Sequence, residues 1–332
     1  MILDGLIVSI VGTNLALLSE NTNFKIQSNV SLSRLTTFRL GGPCRGLILC
    51  QTPSQLKDVV RYFAQENLPF IVMGGGSNLI VSDQGLDCYV IRYLNDVPSI
   101  EIIGNDILVT GSTNLDALAL FAAEQGLEGI NYLSGIPGTV GGAVVGNAGA
   151  FGKQIGDVLQ TATLLTKSGV EKEALPQELG FAYRHSDLKK TGDLVMTVRL
   201  ALKSGDHDTL LKEREDILKI RHEKHPDLKK EPCAGSFFRN IEPTSKAGKR
   251  QASGWFLEEA GAKALRVGGA YIFPKHANII IKGKNCKSQD VFELHKKMYE
   301  VVKQKFGLEL VREVLFVGKF SGMPAGIKTI MW

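Results

Sequence analysis

The sequence has no later apolar run long enough to cross a bilayer, no closely spaced cysteines and no heavy excess of either charge. Only 5 cysteines stand among 332 residues, at Cys44, Cys50, Cys88, Cys233 and Cys286. No CxxC pair occurs, so neither a zinc site nor a disulfide framework is expected, and reduced, mostly buried thiols are. The net charge of +5 suits an anionic small molecule and falls short of a nucleic-acid signature. The apolar stretch Met1–Leu18 lacks the basic start of a signal peptide, its only charge being Asp4. Gly5, Gly12 and Asn14 interrupt it, and it is short for a membrane span. It reads as a poorly ordered extension of a soluble, cytoplasmic chain with no membrane partner.

Two nucleotide-binding signatures are also missing. No Gly-Lys-Ser/Thr completes a phosphate loop. No glycine cluster opens a strand–helix–strand unit with an acidic residue about twenty positions on, as a Rossmann fingerprint would require.

What is present is an ordinary globular balance, 44% hydrophobic and 22% charged, in a chain long enough for two or three domains. A strand at Arg45–Cys50, an amphipathic helix at Pro53–Glu66, a strand at Pro69–Met73 and an apolar run at Leu79–Ser82 outline a first α/β unit. Ser99–Ile103 and Asp106–Thr110 flank a hairpin turn. A helix over Asn114–Gln125 and strands at Val158–Thr166 and Leu194–Leu202 complete a second unit. A charged helix at Thr209–Glu223 leads to a third, with a helix at Gly254–Ala260, a strand at Asn278–Ile281, a helix at Gln289–Phe306 and a strand at Glu309–Val317. In the long helix Val291, Leu294, Met298, Val301 and Val302 recur at core-packing spacing. These elements predict an extension over 1–28, units over 29–95, 96–205 and 206–318, and a tail over 319–332.

Two glycine clusters carry the chemistry. The first, Gly74-Gly75-Gly76-Ser77-Asn78, follows a strand and reads equally as an anion-binding nest or as a plain tight turn. The second runs from Ser134 to Gly152 and holds seven glycines, more than a turn needs. That density suits backbone lying along a flat ligand. Together they suggest a pyrophosphate-bearing cofactor clasped between adjacent units.

With Thr36-Thr37-Phe38-Arg39-Leu40-Gly41-Gly42-Pro43, these clusters resemble the UDP-N-acetylenolpyruvoylglucosamine reductases, also called UDP-N-acetylmuramate dehydrogenases. The likeness runs from Asn29 to about Gly318. It implies an α+β, three-domain flavoenzyme with a p-cresol methylhydroxylase-type FAD-binding fold and a C-terminal substrate domain. It also implies a cytoplasmic enzyme of peptidoglycan synthesis that reduces UDP-N-acetylglucosamine enolpyruvate with NADPH. FAD contacts are then expected from Thr37, Arg39, Gly74, Gly75, Gly76, Ser77, Asn78, Ser134, Gly135, Pro137, Gly138, Thr139, Gly141, Gly142, Asn147 and Gly149. No histidine precedes His185 and neither cluster contains cysteine, so a non-covalent flavin is expected.

Reducing a carboxylate-conjugated enol ether needs hydride at the β carbon, a stabilised enolate and a proton at the α carbon. The segment Phe181-Ala182-Tyr183-Arg184-His185-Ser186 resembles the family stretch whose arginine meets the substrate carboxylate, which gives that role to Arg184. Cys233-Ala234-Gly235-Ser236-Phe237-Phe238-Arg239-Asn240 resembles the segment carrying the proton-donating serine, here Ser236. Leu310–Gly318 resembles the final strand with its catalytic acid, here Glu313, although Val311-Arg312 departs from the usual Glu-Pro. Glu309 is the alternative if the register slips. Substrate contacts are expected from Tyr183, Lys224, Asn240 and His276, and no metal is. The stretch from Arg184 to Lys224 lacks an inserted tyrosine-bearing loop, which matches the shorter, type II form. The partners implied are NADPH and the UDP-sugar, with a monomeric enzyme. Two other readings stay open: a flavin oxidase of the same fold, and a flavin- or nucleotide-binding protein without turnover.

Overall fold

The computed structural model describes residues 24–242 and 250–323, so the apolar stretch Met1–Leu18 and the end of the expected tail lie outside them. Regular structure begins at Ile26–Gln27, an edge strand antiparallel to Cys44–Cys50. Cys44–Cys50, Leu86–Tyr93 and Phe70–Met73 follow in that order, paired in parallel. The helix Pro53–Gln65 covers this sheet. Its start is set by a capping box between Thr52 and Gln55 with proline in the first turn. Leu56, Val59, Val60 and Phe63 bury the inward stripe, each worth about 1.5–3 kcal/mol relative to exposure.

The sequence did not predict Leu86–Tyr93, one of the two inner strands of that sheet. Four consecutive residues of it are buried, so the alternation that marks a half-exposed strand is absent. Asp87 and Arg92 further disguise it.

A five-stranded antiparallel sheet follows, ordered Glu171–Ala174, Leu159–Leu165, Leu194–Ala201, Asp106–Thr110, Ile100–Ile103. Leu165, Leu194 and Met196 from it share a core with Leu56, Val60 and Phe63, which joins the two sheets. Within the second glycine cluster, Val140–Gly146 is a short helix rather than extended backbone. Glycine disfavours a helix. Here Thr139 caps the helix and Val140, Ala143, Val144 and Val145 bury its face, so tertiary packing overrides propensity.

The helix His207–Lys224 connects to the last unit. There a three-stranded sheet, Arg266–Val267, Ala270–Ile272 and Ile280–Lys282, lies with the helices Ser253–Glu259 and Ser288–Phe306. The expected strand Glu309–Val317 is mostly not one. Only Leu315–Val317 forms a ladder, parallel to Leu79–Val81, while Arg312 makes a single bridge to Phe238. The chain changes partner at Glu313, whose N–H donates to the Phe237 carbonyl at 2.8 Å. Phe38, Leu40 and Ile80 share the C-terminal core with Phe237, Leu257 and Phe316, so the first and last units meet over one edge of a cleft.

Candidate active site

The first glycine cluster leaves the strand Phe70–Met73 and enters the strand Leu79–Val81. Between these strands the backbone N–H groups of Gly74, Gly75, Gly76, Ser77 and Asn78 donate to no group among the described residues. Their side chains, by contrast, are committed. Ser77 Oγ donates to the Pro137 carbonyl at 2.9 Å, and Asn78 Nδ2 to the Glu313 carbonyl at 3.2 Å. Thr37 N–H donates to the Gly76 carbonyl at 3.2 Å, and Thr37 Oγ1 to the Cys233 carbonyl at 2.8 Å. The loop is thereby fastened to the second cluster, to the Glu313 strand and to the Ser236 segment, while its N–H groups stay free.

The second cluster is used differently. Gly135 N–H donates to Asp116 at 2.7 Å, Gly141 N–H to the Gly111 carbonyl at 2.9 Å and Gly142 N–H to Thr139 Oγ1 at 3.3 Å. A Cβ on Gly141 would meet Gly111 O at 3.1 Å, and one on Gly149 would meet Lys153 O at 2.1 Å. Asn147, in a left-handed conformation, accepts from Gly156 N–H and donates to the Ala182 carbonyl. Ser134 is fully buried. The two clusters touch, since a Cβ on Gly75 would stand 3.2 Å from Gly138 Cα.

Together they wall a cleft of about 1090 Å³, above the roughly 300–1,000 Å³ typical of sites for one small ligand. A run of five N–H groups without a partner among the described residues suits an anion, and the glycine-rich, mostly small and apolar wall beside it suits a flat ring system. These residues fit a pyrophosphate-bearing flavin dinucleotide.

Across the cleft the charged groups converge. Ala182 and His185 close a tight turn through mutual backbone hydrogen bonds, and Arg184 sits at its tip with a left-handed φ of 55°. Such a backbone in a non-glycine residue stores strain, and strain of this kind clusters at functional sites. Arg184 Nε lies 3.1 Å from Glu313 Oε1, yet the pair is misaligned and the N–H has no hydrogen-bond partner. Burial pushes the Glu313 carboxyl above its ordinary value, opposed by Arg184, Lys189 and Arg239. Ser236 lines the same cleft, held by a bridge to Ile279 one residue ahead of the Phe237–Glu313 contact. Three segments more than fifty residues apart in sequence thus bring Arg184, Ser236 and Glu313 to one cavity.

Other expected residues stand back from it. Arg39 also has a left-handed φ, 55°, and its guanidinium donates to the Lys229 carbonyl at 3.1 Å. Tyr183 stacks under Arg250, whose Cζ is 3.9 Å from the ring centre. Asn240 accepts from Ser253 N–H at 3.3 Å. His276 Nδ1 accepts from Asn278 N–H at 3.2 Å, and its ring lies 5.8 Å from that of His225. Lys224 is exposed at its helix end, and one turn earlier Arg221 lines the cleft instead.

The chain resembles known proteins along nearly its whole length. Residues 226–317 match the family described as UDP-N-acetylenolpyruvoylglucosamine reductase, C-terminal domain, and residues 44–174 match the FAD binding domain family. The UDP-N-acetylenolpyruvoylglucosamine reductase of Caldanaerobacter subterraneus is 34% identical over 296 residues, covering 89% of this chain and 94% of the relative. That of Clostridium novyi is 32% identical over 301 residues, covering 90% and 94%. The chain belongs to the UDP-N-acetylenolpyruvoylglucosamine reductase family. The crystal structure of the Thermus caldophilus reductase matches with a TM-score of 0.73 at 32% identity, covering 88% of this chain and 99% of that one. The fold is that of the reductase family, α+β with a p-cresol methylhydroxylase-type flavin-binding portion. Among the described residues no helix is long and apolar enough to cross a membrane.

Within the reductase fold, four charged residues by the cleft were not predicted. Asp116 takes both Arg214 nitrogens, at 2.7 and 3.0 Å, as well as the Gly135 N–H. Burial would raise its carboxyl, but the Arg214 and Gly135 hydrogen bonds hold it below the ordinary value. Arg221 and Arg239 each keep a buried Nε without a partner among the described residues. Lys189 lines the cleft beside Glu313. Arg239 had a signal, standing in the segment Cys233–Asn240 that carries the resemblance. Asp116 and Arg221 read as ordinary solvated charges on their helices, since Arg214 and the cleft are distant in sequence, and Lys189 stood in a stretch with no predicted element.

Proposed function

We propose that this chain is an NADPH-dependent, FAD-mediated reductase. Its substrate would be UDP-N-acetylglucosamine enolpyruvate and its product UDP-N-acetylmuramate, a precursor of peptidoglycan. The observation that carries this reading is the convergence of Arg184, Ser236 and Glu313 on a cleft walled by unpaired backbone N–H groups. Units over 29–95 and 96–205 would hold FAD without a covalent bond, and 206–318 would hold the sugar nucleotide. The enzyme would work as a cytoplasmic monomer.

Bound FAD would supply hydride chemistry between NADPH and the substrate alkene, the two using the cleft in turn. The Gly74–Asn78 N–H groups would take the cofactor pyrophosphate, and the cluster from Gly135 to Gly142 would lie along its rings. Arg184 would pair with the substrate carboxylate, a task for which a planar, permanently charged guanidinium is suited. Its Nε, close to Glu313 but without a hydrogen-bond partner among the described residues, supports that role. Desolvation favours the protonated form of Glu313, so its carboxyl can donate to the oxygen that gains charge in the enolate. Ser236 would deliver the proton to the α carbon. Tyr183, Lys224, Asn240 and His276 would contact the rest of the sugar nucleotide.

Stopped-flow absorbance separates the two halves of this reaction. NADPH should bleach the flavin, and the enolpyruvyl sugar should restore its colour. Ser236→Ala should bleach normally and recover about 100- to 10,000-fold more slowly, as loss of a general acid implies. Recovery within about threefold of wild type would remove the serine from the chemistry. A flavin bleached by an alcohol and not by NADPH would mark an oxidase.

A further inference from the structure

Lys189 occupies a position that the proposed chemistry does not use. It lies in the short helix Leu188–Thr191 just after the Arg184 turn, half-buried and lining the cleft. Its Nζ donates to the Arg184 carbonyl at 2.8 Å, the carbonyl of the residue with the left-handed backbone. Between the turn and the helix the chain is anchored by Ser186, whose Oγ donates to the Val145 carbonyl at 2.7 Å. The lysine therefore ties the strained turn to a fixed support while facing Glu313.

We propose that Lys189 is a positioning residue for reduction of the sugar nucleotide: its ammonium latches the Arg184 turn and joins Arg184 and Arg239 as a third cation around Glu313. The inference rests on the reading that Arg184 and Glu313 receive the enolpyruvyl carboxylate. A lysine free to reach solvent would not choose this place. A long amine held on a carbonyl loses rotamer freedom, and two guanidiniums stand near it.

The charged groups facing the amine are Glu313 from the last strand segment, Arg239 from the Ser236 segment and Arg184 from its own turn. Asp187, just before the same helix, is engaged by Lys190 and His185. Burial brings the amine down to about 8, Arg239 and Arg184 push the same way, and Glu313 opposes them. The sign follows. Below that value the lysine is charged, and above it the charge near Glu313 falls by one while both arginines stay cationic. Binding of a substrate carboxylate should weaken as pH rises through this range.

The test is calorimetric binding of the enolpyruvyl sugar to FAD-loaded enzyme at about pH 7 and about pH 9.5, on either side of that transition. Wild type should bind on the order of tenfold more weakly at the higher pH, the size of effect expected from one lost charge contact. Lys189→Arg, which keeps its charge at both, should lose that dependence. Lys189→Met should bind weakly at both, with KM raised more than kcat lowered. FAD content and melting temperature check that each variant is folded, and if methionine is not tolerated, the arginine variant carries the test alone. A Lys189→Arg enzyme that keeps the wild-type pH loss, or a Lys189→Met enzyme that binds like wild type, overturns the inference. Arg184→Gln separates the two layers. If it binds and turns over normally, the reading of the turn falls and takes Lys189 with it. If it is inactive while the Lys189 variants match wild type, the lysine inference alone fails.

Discussion

The two glycine clusters look alike in sequence and do different work. The longer one, Ser134–Gly152, spends most of its N–H groups inside the protein, on Asp116, Gly111 and Thr139. Some of its glycines have neighbours too close for a side chain, as at Gly149, while Gly146 and Gly152 face open space. The shorter one, Gly74–Asn78, fixes its side chains and leaves five N–H groups unpartnered. Glycine density therefore reports close approach, which neighbouring backbone can explain as well as a ligand can. The account of where each N–H goes is what separates the two. By that account the short loop keeps its donors available to a ligand, while the long segment spends most of its own on the fold.

The largest test of this contrast is Gly76→Ala. Gly76 has φ of 63°, and a Cβ there would meet Leu35 O at 2.3 Å. Left-handed strain and overpacking together cost about 2–6 kcal/mol, and the loop must move. The purified variant should be colourless, and its melting temperature clearly lowered. A yellow variant with full FAD occupancy would mean that the short loop does not hold the cofactor.

That contrast also marks what could be read from the chain. The helix Pro53–Gln65 was legible because capping, proline placement and apolar spacing all lie within one short window. Leu86–Tyr93 was not, since strands buried on both faces lose their alternation. At the site, Arg184, Ser236 and Glu313 were placed by resemblance, because the carbonyls and carboxylates that orient them come from remote segments. Asp116 went unseen for the same reason, and Lys189 because its acceptor is a nearby backbone carbonyl presented by the left-handed turn at Arg184. Nothing beside either residue announces a partner at Arg184 O or at Arg214.

A smaller effect is expected where the scaffold is braced. Asp116→Asn removes the anion from Arg214, which is only 8% exposed, and weakens the hold on Gly135. Asp116 is itself partly exposed, so the loss should be nearer about 1–3 kcal/mol than the value for a fully buried pair. The folded-state carboxyl is held below its ordinary value. The stabilisation is therefore present above the unfolded-state pKa and disappears as pH falls through the lowered one. Melting curves of wild type and variant should differ at neutral pH and converge in acid. FAD content should fall less than stability does. Emptying of the cofactor site with an unchanged melting temperature would make this bracing a direct ligand contact and blur the distinction between the clusters.

The smallest effect belongs to Thr139, where the clusters meet. Its hydroxyl accepts from Gly142 N–H at 3.3 Å and caps the helix Val140–Gly146. The same side chain fills the space a Cβ on Gly74 would need, with Oγ1 at 2.4 Å and Cγ2 at 2.9 Å from that position. Thr139→Ala removes both the cap and the filler. Cap removal costs about 0.5–2 kcal/mol, and the short loop keeps its own fastenings through Ser77 and Asn78. Stability should therefore drop by about 1 kcal/mol, with FAD affinity changed by less than about tenfold. Thr139→Ser retains the acceptor and gives up one methyl group, so it should recover most of the stability. Denaturant unfolding and FAD titration on the three proteins decide it. Should alanine drain the flavin while stability holds, the Thr139 side chain would itself be a cofactor contact rather than a support for the backbone beside it.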